Sequence, residues 1–135
     1  MKPSQATVLQ PEGWVKPRGY ANGIAATGRT VFVAGQVGWN ARGEFESDDF
    51  VAQVEQALAN VMAVLRAAGA GPEHLARMTW YVTDKREYVA RSREIGEMYR
   101  RVVGRHYPAM TLVVVAGLLE DRALVEIEAT AVVAD

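Results

Sequence analysis

The sequence predicts a single α+β domain with the element order β-β-α-β-α-β-β. Two segments carry apolar residues at the three- and four-residue spacing of amphipathic helices, and the segments around them alternate with the two-residue period of strands. The clearest alternation runs from 123 to 133, where one face of the strand would carry Ala123, Val125, Ile127, Ala129 and Ala131. Because two helices can cover only one face of such a sheet, we expect one mixed sheet with both helices on the same side.

The chain has 135 residues, enough to bury the core of one domain. Residues 1–17 are polar and interrupted by Pro3, Pro11 and Pro17, which indicates an N-terminal arm before a domain spanning 18–135. The formal charge of −1 gives no electrostatic reason to expect nucleic acid or an anionic membrane as a partner. No stretch has the pattern of a signal peptide or a membrane span, so we expect a cytoplasmic protein.

The residue types also limit which metals and cofactors this chain is expected to use. There is no cysteine, and His74 and His106 lie far apart without metal-ligand spacing around either. No glycine-rich loop with the spacing of a phosphate-binding motif is present. We therefore expect neither a metal nor an organic cofactor.

The first two predicted strands cover 20–26 and 30–37, with a turn at Gly28 between them. Gly35 inside the second strand indicates a bulge or a close approach of another group to the backbone. Gln36 and Trp39 follow at the end of this strand. They fit either the lining of a ligand pocket or an ordinary strand end with a half-buried indole.

The first helix is expected to begin after Ser47 as N-cap and to end at the turn of 69–72. Its apolar stripe consists of Phe50, Val51, Val54, Leu58, Val61, Met62 and Leu65. After a strand at 75–83, Asp84 and Glu87 have the spacing of a capping box that opens the second helix. Gly96 interrupts this helix, which indicates that another group packs closely there.

The polar face of the last strand carries Glu126 and Glu128, whose carboxylates lie within roughly 7 Å of each other at the rise of a strand. Such a pair often marks only a solvated surface. Leu124 and Val132 flank the pair on the same face, which is half apolar and remains uncovered by the helices. We therefore expect the chain to oligomerise through this face.

Several segments together resemble one family. They are Tyr20, Val33-Ala34-Gly35-Gln36-Val37, the helix from Gln53 to Gly69 (Gln-x-x-Gln-Ala-Leu-x-Asn, ending Ala-Ala-Gly), Tyr107-Pro108-Ala109 and Val125-Glu126-Ile127-Glu128-Ala129. This set resembles the RidA/YjgF/UK114 family of enamine and imine deaminases. The resemblance implies a chorismate-mutase-like fold and a homotrimer with small-molecule clefts between subunits.

The resemblance also implies roles for individual residues. In active family members an arginine directly after Pro-Ala holds the substrate carboxylate, and the first glutamate of Glu-Ile-Glu positions the attacking water. Here these positions are Met110 and Glu126, so the acid is present and the usual anchor is not. A family serine corresponds to Ala34, and a pocket asparagine to Arg93. An alternative for Arg93 is a surface ion pair with Glu94 or Glu97.

The sequence thus predicts Glu126 as the catalytic residue. The substrate-binding residues are expected to be Tyr20, Gln36, Trp39, Arg93, Met110 and Leu112. The predicted function is a deaminase-like hydrolase acting on a small reactive enamine or imine. Two alternatives stay open: a non-catalytic small-molecule-binding or regulatory trimer of the same fold, and a chaperone-like or translation-linked interaction protein.

Overall fold

The computed structural model describes residues 6–134. Within them the chain forms strands and helices in the order β1 (Thr7–Leu9), β2 (Gly23–Ala25), β3 (Arg29–Val37), α1 (Phe50–Ala67), a 3-10 turn (Pro72–His74), β4 (Leu75–Val82), α2 (Lys85–Ala90), α3 (Ser92–Val102), β5 (Ala109–Val114) and β6 (Val125–Val133).

The central sheet has the strand order β3-β6-β4-β5. Strand β6 pairs antiparallel with both β3 and β4, whereas β4 and β5 run parallel. The predicted mixed sheet is therefore confirmed. Strands β1 and β2 form a separate antiparallel pair, which an isolated bridge from Ala21 to Ala109 joins to the start of β5.

The core lies between the helices and one face of this sheet. The predicted stripe of α1 is buried along its length, and Leu58, Val61 and Leu65 are fully inaccessible to solvent. Opposite it, the predicted inward face of β6 is buried from Val125 to Ala131. Because alternate residues of β6 are half exposed, the helices cover one face of the sheet and leave the other open, as the sequence predicts.

The predicted N-terminal arm, residues 1–17, contains one short strand. Thr7–Leu9 forms β1 by pairing with β2, while the first five residues of the predicted arm lie outside the described residues. The strand expected over 20–26 is limited to Gly23–Ala25. Three residues are too few for a periodic signal, so only the pairing itself reveals β1.

The helices differ from the prediction at two points. Asp49, rather than Ser47, is the N-cap of α1, and its carboxylate accepts a hydrogen bond from the Ala52 amide. The predicted second helix is two helices, α2 and α3, which meet at Arg91. The Arg91 guanidinium contacts Asp49 at 2.6 Å, and this long-range ion pair fixes the junction against the start of α1. Within residues 6–134, no helix is both long and apolar enough to span a membrane.

Candidate functional site

Glu126 lies directly over the backbone of Gly35. Strand β3 advances three residues from Val33 to Gln36 while β6 advances two from Ala129 to Ile127, so β3 carries a bulge at this point. A Cβ atom at position 35 would lie 2.5 Å from Oε2 of Glu126. The glycine predicted to mark a bulge or a close approach therefore marks both, and the carboxylate rests where only a glycine leaves room.

The two glutamates of this face have different surroundings. Glu128 accepts a 2.8 Å hydrogen bond from the Tyr81 hydroxyl, and this bond, with the burial of the ring, raises the pKa of Tyr81. The carboxylate of Glu126, which is half buried, has neither a hydrogen bond nor an ion pair with any residue in the described part of the chain. Of the two carboxylates, the one over Gly35 is the one left free to bind another group.

Gln53 holds the start of β6 in place, and with it the position of Glu126 on that strand. Its buried side-chain amide donates to the carbonyls of Ser47 and Arg122, and its oxygen accepts from the Leu124 amide. A Cβ atom at Gly38 would lie 2.7 Å from Cβ of Gln53, so β3 also contacts this residue closely. Every polar atom of the buried amide is used, which explains a glutamine at the centre of an apolar helix face.

Gln36 and Trp39 lie at the end of β3, where Asn60 of α1 holds the chain. The Asn60 amide donates to the carbonyls of Val37 and Trp39. The Trp39 ring packs against Phe45 at a centroid distance of 5.9 Å, and the Gln36 amide donates to the carbonyl of Ala34. In the single chain these contacts hold the end of the strand in place. Neither Gln36 nor Trp39 lines the cavity described next.

A cavity of about 550 Å³ opens between α3, β5 and the segment before β2. Its walls are largely apolar and aromatic and include Tyr20, Trp80, Tyr88, Tyr99, Met110 and Leu112. Three of the residues predicted to bind substrate, Tyr20, Met110 and Leu112, are thus brought together. The volume is within the range of small-molecule sites.

Burial raises the pKa of two tyrosines of this cavity, Tyr99 and Tyr88. The Tyr99 hydroxyl donates to the carbonyl of His106, and its ring stacks on Tyr107 with centroids 5.4 Å apart. These two contacts hold the Tyr99 ring in place in the cavity wall.

Arg93 does not line the cavity. Its side chain is 95 % exposed, and Nε lies 3.8 Å from a carboxylate oxygen of Glu97. In the single chain, Arg93 therefore takes the alternative position, in a surface ion pair with Glu97. The arginines that do line the cavity are Arg18 and Arg100. Neither was among the substrate-binding residues that the sequence predicted, although Arg100 follows Gly96 at the four-residue spacing of one helix face.

The two parts of the candidate site lie on opposite faces of the sheet. Leu112 pairs with the buried Trp80 and so faces the helices, whereas the next residue, Val113, pairs with Tyr81. Tyr81 in turn pairs with Glu126 across the other edge of β4 and lies on the open face. One chain therefore holds the apolar cavity on its helical side and the free carboxylate on its open side.

Fold and site together define a small α+β protein with a free carboxylate and an aromatic cavity. Residues 15–133 match the family described as Endoribonuclease L-PSP, and the chain belongs to this family, the RidA/YjgF/UK114 family that its motifs predicted.

Known relatives extend over most of the chain. It is 34% identical over 126 residues to a RutC family protein of Pyrococcus horikoshii, covering 92% of this chain and 95% of the relative. It is 30% identical over 105 residues to the 2-iminobutanoate/2-iminopropanoate deaminase of Capra hircus, covering 77% and 73% of the two chains. A Rid family crystal structure from Yersinia pestis superposes with a TM-score of 0.82 at 36% identity, covering 96% and 99%.

Proposed function

We propose that this protein is a deaminase-like hydrolase that acts on a small reactive enamine or imine in a cleft between the subunits of a homotrimer. The observation that carries the proposal is the separation of the free Glu126 from the apolar cavity. A second copy, packed on the open face, would bring the carboxylate of one subunit to the cavity of the next. The naming of a relative as an imine deaminase supports the same reaction class.

The open face is suited to such packing. Val132 on β6 is half exposed, and Phe32 on the neighbouring strand is 79 % exposed, whereas Leu124, which precedes β6, packs against the core. Val113 continues the apolar surface on β5. An apolar surface of this kind around a pair of carboxylates is typical of an interface between copies of one chain.

The chemistry requires a positioned water and one group that accepts and returns a proton. An enamine first tautomerises to its imine. The Glu126 carboxylate would take a proton from the water whose oxygen bonds to the imine carbon, and the imine nitrogen takes up a proton. Glu126 would then return its proton to the amine nitrogen of the resulting carbinolamine as the carbon–nitrogen bond breaks. The hydroxyl group gives up a proton to solvent, which balances the proton that the imine nitrogen took up, so ammonia and a carbonyl compound are released.

Glu126 is better placed for this role than Glu128. The Glu128 carboxylate already accepts a hydrogen bond from the Tyr81 hydroxyl, whereas the Glu126 carboxylate lies over a glycine and has no hydrogen-bond partner among the described residues. Glu128 therefore serves to hold Tyr81 in position on the same face.

Ammonia release from freshly generated imines tests the proposal directly. Imines of acidic, neutral and cyclic amino acids would be compared for the wild type, Glu126→Gln and Glu128→Gln. We expect Glu126→Gln to lower turnover by roughly 10²-fold or more, which is the usual contribution of a general acid–base, and Glu128→Gln to lower it far less. If no imine is hydrolysed faster than in buffer, the non-catalytic small-molecule-binding trimer becomes the better description.

Met110 offers a second test. A bidentate arginine–carboxylate pair is lost at this position, so imines of the smallest amino acids, which have little else to bind, should be poor substrates. Met110→Arg should raise their turnover, with Met110→Leu as the control for a change of shape alone. Equal rates in all three proteins would show that position 110 does not select the substrate.

The family description also names a ribonuclease, and the chain itself gives little support to that activity. Its net charge is −1, and the open face presents Glu126 and Glu128, which would repel a phosphate backbone. A small neutral or singly charged ligand fits the cavity better.

A further inference from the structure

Arg100 differs from the other arginines in and beside α3. Arg91 contacts three carboxylates, Arg93 faces Glu97, and Arg101 contacts Glu55 at 2.8 Å. Arg100 has no hydrogen bond or ion pair with any described residue. Its guanidinium is therefore available to a ligand, whereas its neighbours on the helix are already neutralised.

The Arg100 guanidinium lies over Gly96, one turn earlier on the helix. A Cβ atom at position 96 would lie 3.6 Å from Nη1 of Arg100, which is an ordinary van der Waals contact. Gly96 itself lines the cavity, so the charge of Arg100 lies at the cavity wall.

The indole of Trp80 also lines this cavity. Its Nε1 is inaccessible to solvent and has no hydrogen-bond acceptor among residues 6–134, so this nitrogen is not a contact for a ligand. The Trp80 ring meets Tyr88 edge to face at 6.5 Å. What the two rings offer a ligand is therefore aromatic surface.

The remaining walls select for apolar bulk. Met110 and Leu112 lie side by side on the strand face that points into the cavity, and Tyr20 closes it from the N-terminal side. A ligand as small as pyruvate would leave most of this surface in contact with water. A branched aliphatic or aromatic side chain would cover it, at a gain of roughly 25 cal/mol per Å² of apolar surface removed from water.

We propose that Arg100 anchors the carboxylate of an imine derived from an apolar 2-amino acid of about the size of leucine or phenylalanine, whose side chain packs on Met110 and Leu112. This inference rests on the proposed function and deepens it by naming the substrate class. Arg100 would then supply, from α3, the charge that Met110 does not supply from β5. Arg18, on the opposite side of the cavity entrance, adds a second positive charge.

Binding can be measured apart from turnover with stable 2-oxo acids, in which a carbonyl oxygen stands in for the imine nitrogen. The probes are the 2-oxo acid of leucine, pyruvate, and methyl isobutyl ketone, which keeps the branched chain of the first and lacks its carboxylate. Calorimetric titration would compare the wild-type oligomer with Arg100→Ala and Arg100→Gln. The matched control is Arg101→Ala, the adjacent arginine whose partner is Glu55.

We expect both Arg100 variants to bind the 2-oxo acid of leucine about tenfold more weakly or worse, because a charge-assisted hydrogen bond is lost. Arg101→Ala should bind it as the wild type does. Pyruvate and the ketone should bind weakly to all four proteins, because each lacks one of the two required features. Circular dichroism and thermal unfolding would confirm that the variants are folded, and Arg100→Gln, which keeps the first methylene groups and a polar head without the charge, serves if Arg100→Ala is unstable.

Two results would overturn the inference: unchanged affinity in both Arg100 variants, or pyruvate bound as tightly as the larger acid. The turnover assay separates this failure from that of the proposed function. Arg100-dependent binding without ammonia release from any imine would reject the hydrolase and retain the anchor. Ammonia release with the same KM in wild type and Arg100→Gln would retain the hydrolase and reject Arg100 as the anchor.

Discussion

The two faces of the central sheet are built from the same strands and do different things. On the helical face, Val125, Ile127 and Ala131 are buried by α1 and α3, and the chain completes this surface alone. On the open face, Glu126 and Glu128 stand between half-exposed apolar residues, and no described element of the chain covers them. One face has the properties of a core, the other of an interface that carries a functional group.

This difference has a physical origin in the period of the strand. Each residue of β6 is fixed to one face by its neighbours, so the residues that build the core and the residues that build the site alternate in sequence. A single extra residue in β3 interrupts this regular alternation at one point. The bulge at Ala34 and Gly35 opens the space that the Glu126 carboxylate occupies.

The largest effect should come from the helical face. Leu58 is fully buried at the centre of α1, and Leu58→Ala should lower the free energy of unfolding by about 3 kcal/mol, since the cavity it leaves cannot refill. Urea denaturation at a fixed protein concentration would measure this. The half-exposed Val64 on the same helix is the control, and Val64→Ala should change stability by less than about 0.5 kcal/mol. Equal losses at the two positions would contradict the assignment of the core to this face.

A charge on the open face should act on assembly rather than on the fold. Val132→Asp places a carboxylate in the expected interface, and we expect the dissociation constant of the oligomer to rise by at least about tenfold while the circular dichroism spectrum is retained. Sedimentation velocity over a range of concentrations would measure the change. Val89→Asp makes the same substitution at an exposed position of α2 and should leave the oligomer intact. A protein that sediments as a monomer before any substitution would reject the proposed interface.

A substitution at the contact between the bulge and the Glu126 carboxylate should lower stability only slightly and lower activity strongly. Gly35→Ala would place a methyl group 2.5 Å from the present position of Glu126 Oε2, so the carboxylate must move. Overpacking of this kind should cost about 1 kcal/mol of stability, whereas turnover should fall by roughly 10²-fold because the reacting group is displaced. Gly117→Ala, where an added methyl meets no atom within 4 Å, is the control. Full activity of Gly35→Ala would show that the position of Glu126 is not critical.

The smallest effect is expected far from the site, at the junction of α2 and α3. The Arg91 guanidinium lowers the pKa of Asp49 and of Glu94, so the folded protein keeps these groups ionised at lower pH than the unfolded chain does. Their stabilising effect is present above their ordinary pKa values of 3.8 and 4.5 and is lost as the pH falls through the lowered values. Arg91→Ala should therefore be less stable than the wild type near neutral pH, and the two should converge in acid.

Thermal unfolding over a pH series would measure this convergence. Arg86→Ala, which removes an exposed arginine from α2, should follow the wild type at every pH. A constant difference between wild type and Arg91→Ala would show that the arginine acts by packing and not by charge.

The sequence predicted those features that have a strong period. The stripe of α1 and the alternation of β6 could be assigned because each residue of the pattern contacts the same core. The role of Gly35 could be predicted because a glycine inside a strand has few other causes. Glu126 followed from the family resemblance, and its contrast with Glu128 required the hydrogen bond from Tyr81.

Other features depend on contacts between distant parts of the chain and carry no local signal. The break between α2 and α3 follows from the ion pair of Arg91 with Asp49, 42 residues away. Strand β1 exists because β2 lies beside it. Arg93 and Arg100 are seven residues apart and fall on the same side of the helix, but Arg100 lines the cavity whereas Arg93 extends to Glu97, and helical spacing alone does not predict this difference.

Subunit mixing tests directly whether each site combines the Glu126 of one subunit with the cavity of another. Glu126→Gln lacks the acid, and Leu112→Glu blocks the cavity and repels a carboxylate, so each variant alone should be nearly inactive. Hetero-oligomers purified through two different affinity tags contain interfaces at which both halves are wild type. In a trimer that contains both variants, one of the three interfaces joins the wild-type acid to the wild-type cavity, so roughly a third of the sites should regain full activity. Mixed oligomers no more active than either parent would contradict the account, because they would place both halves of the site in one chain.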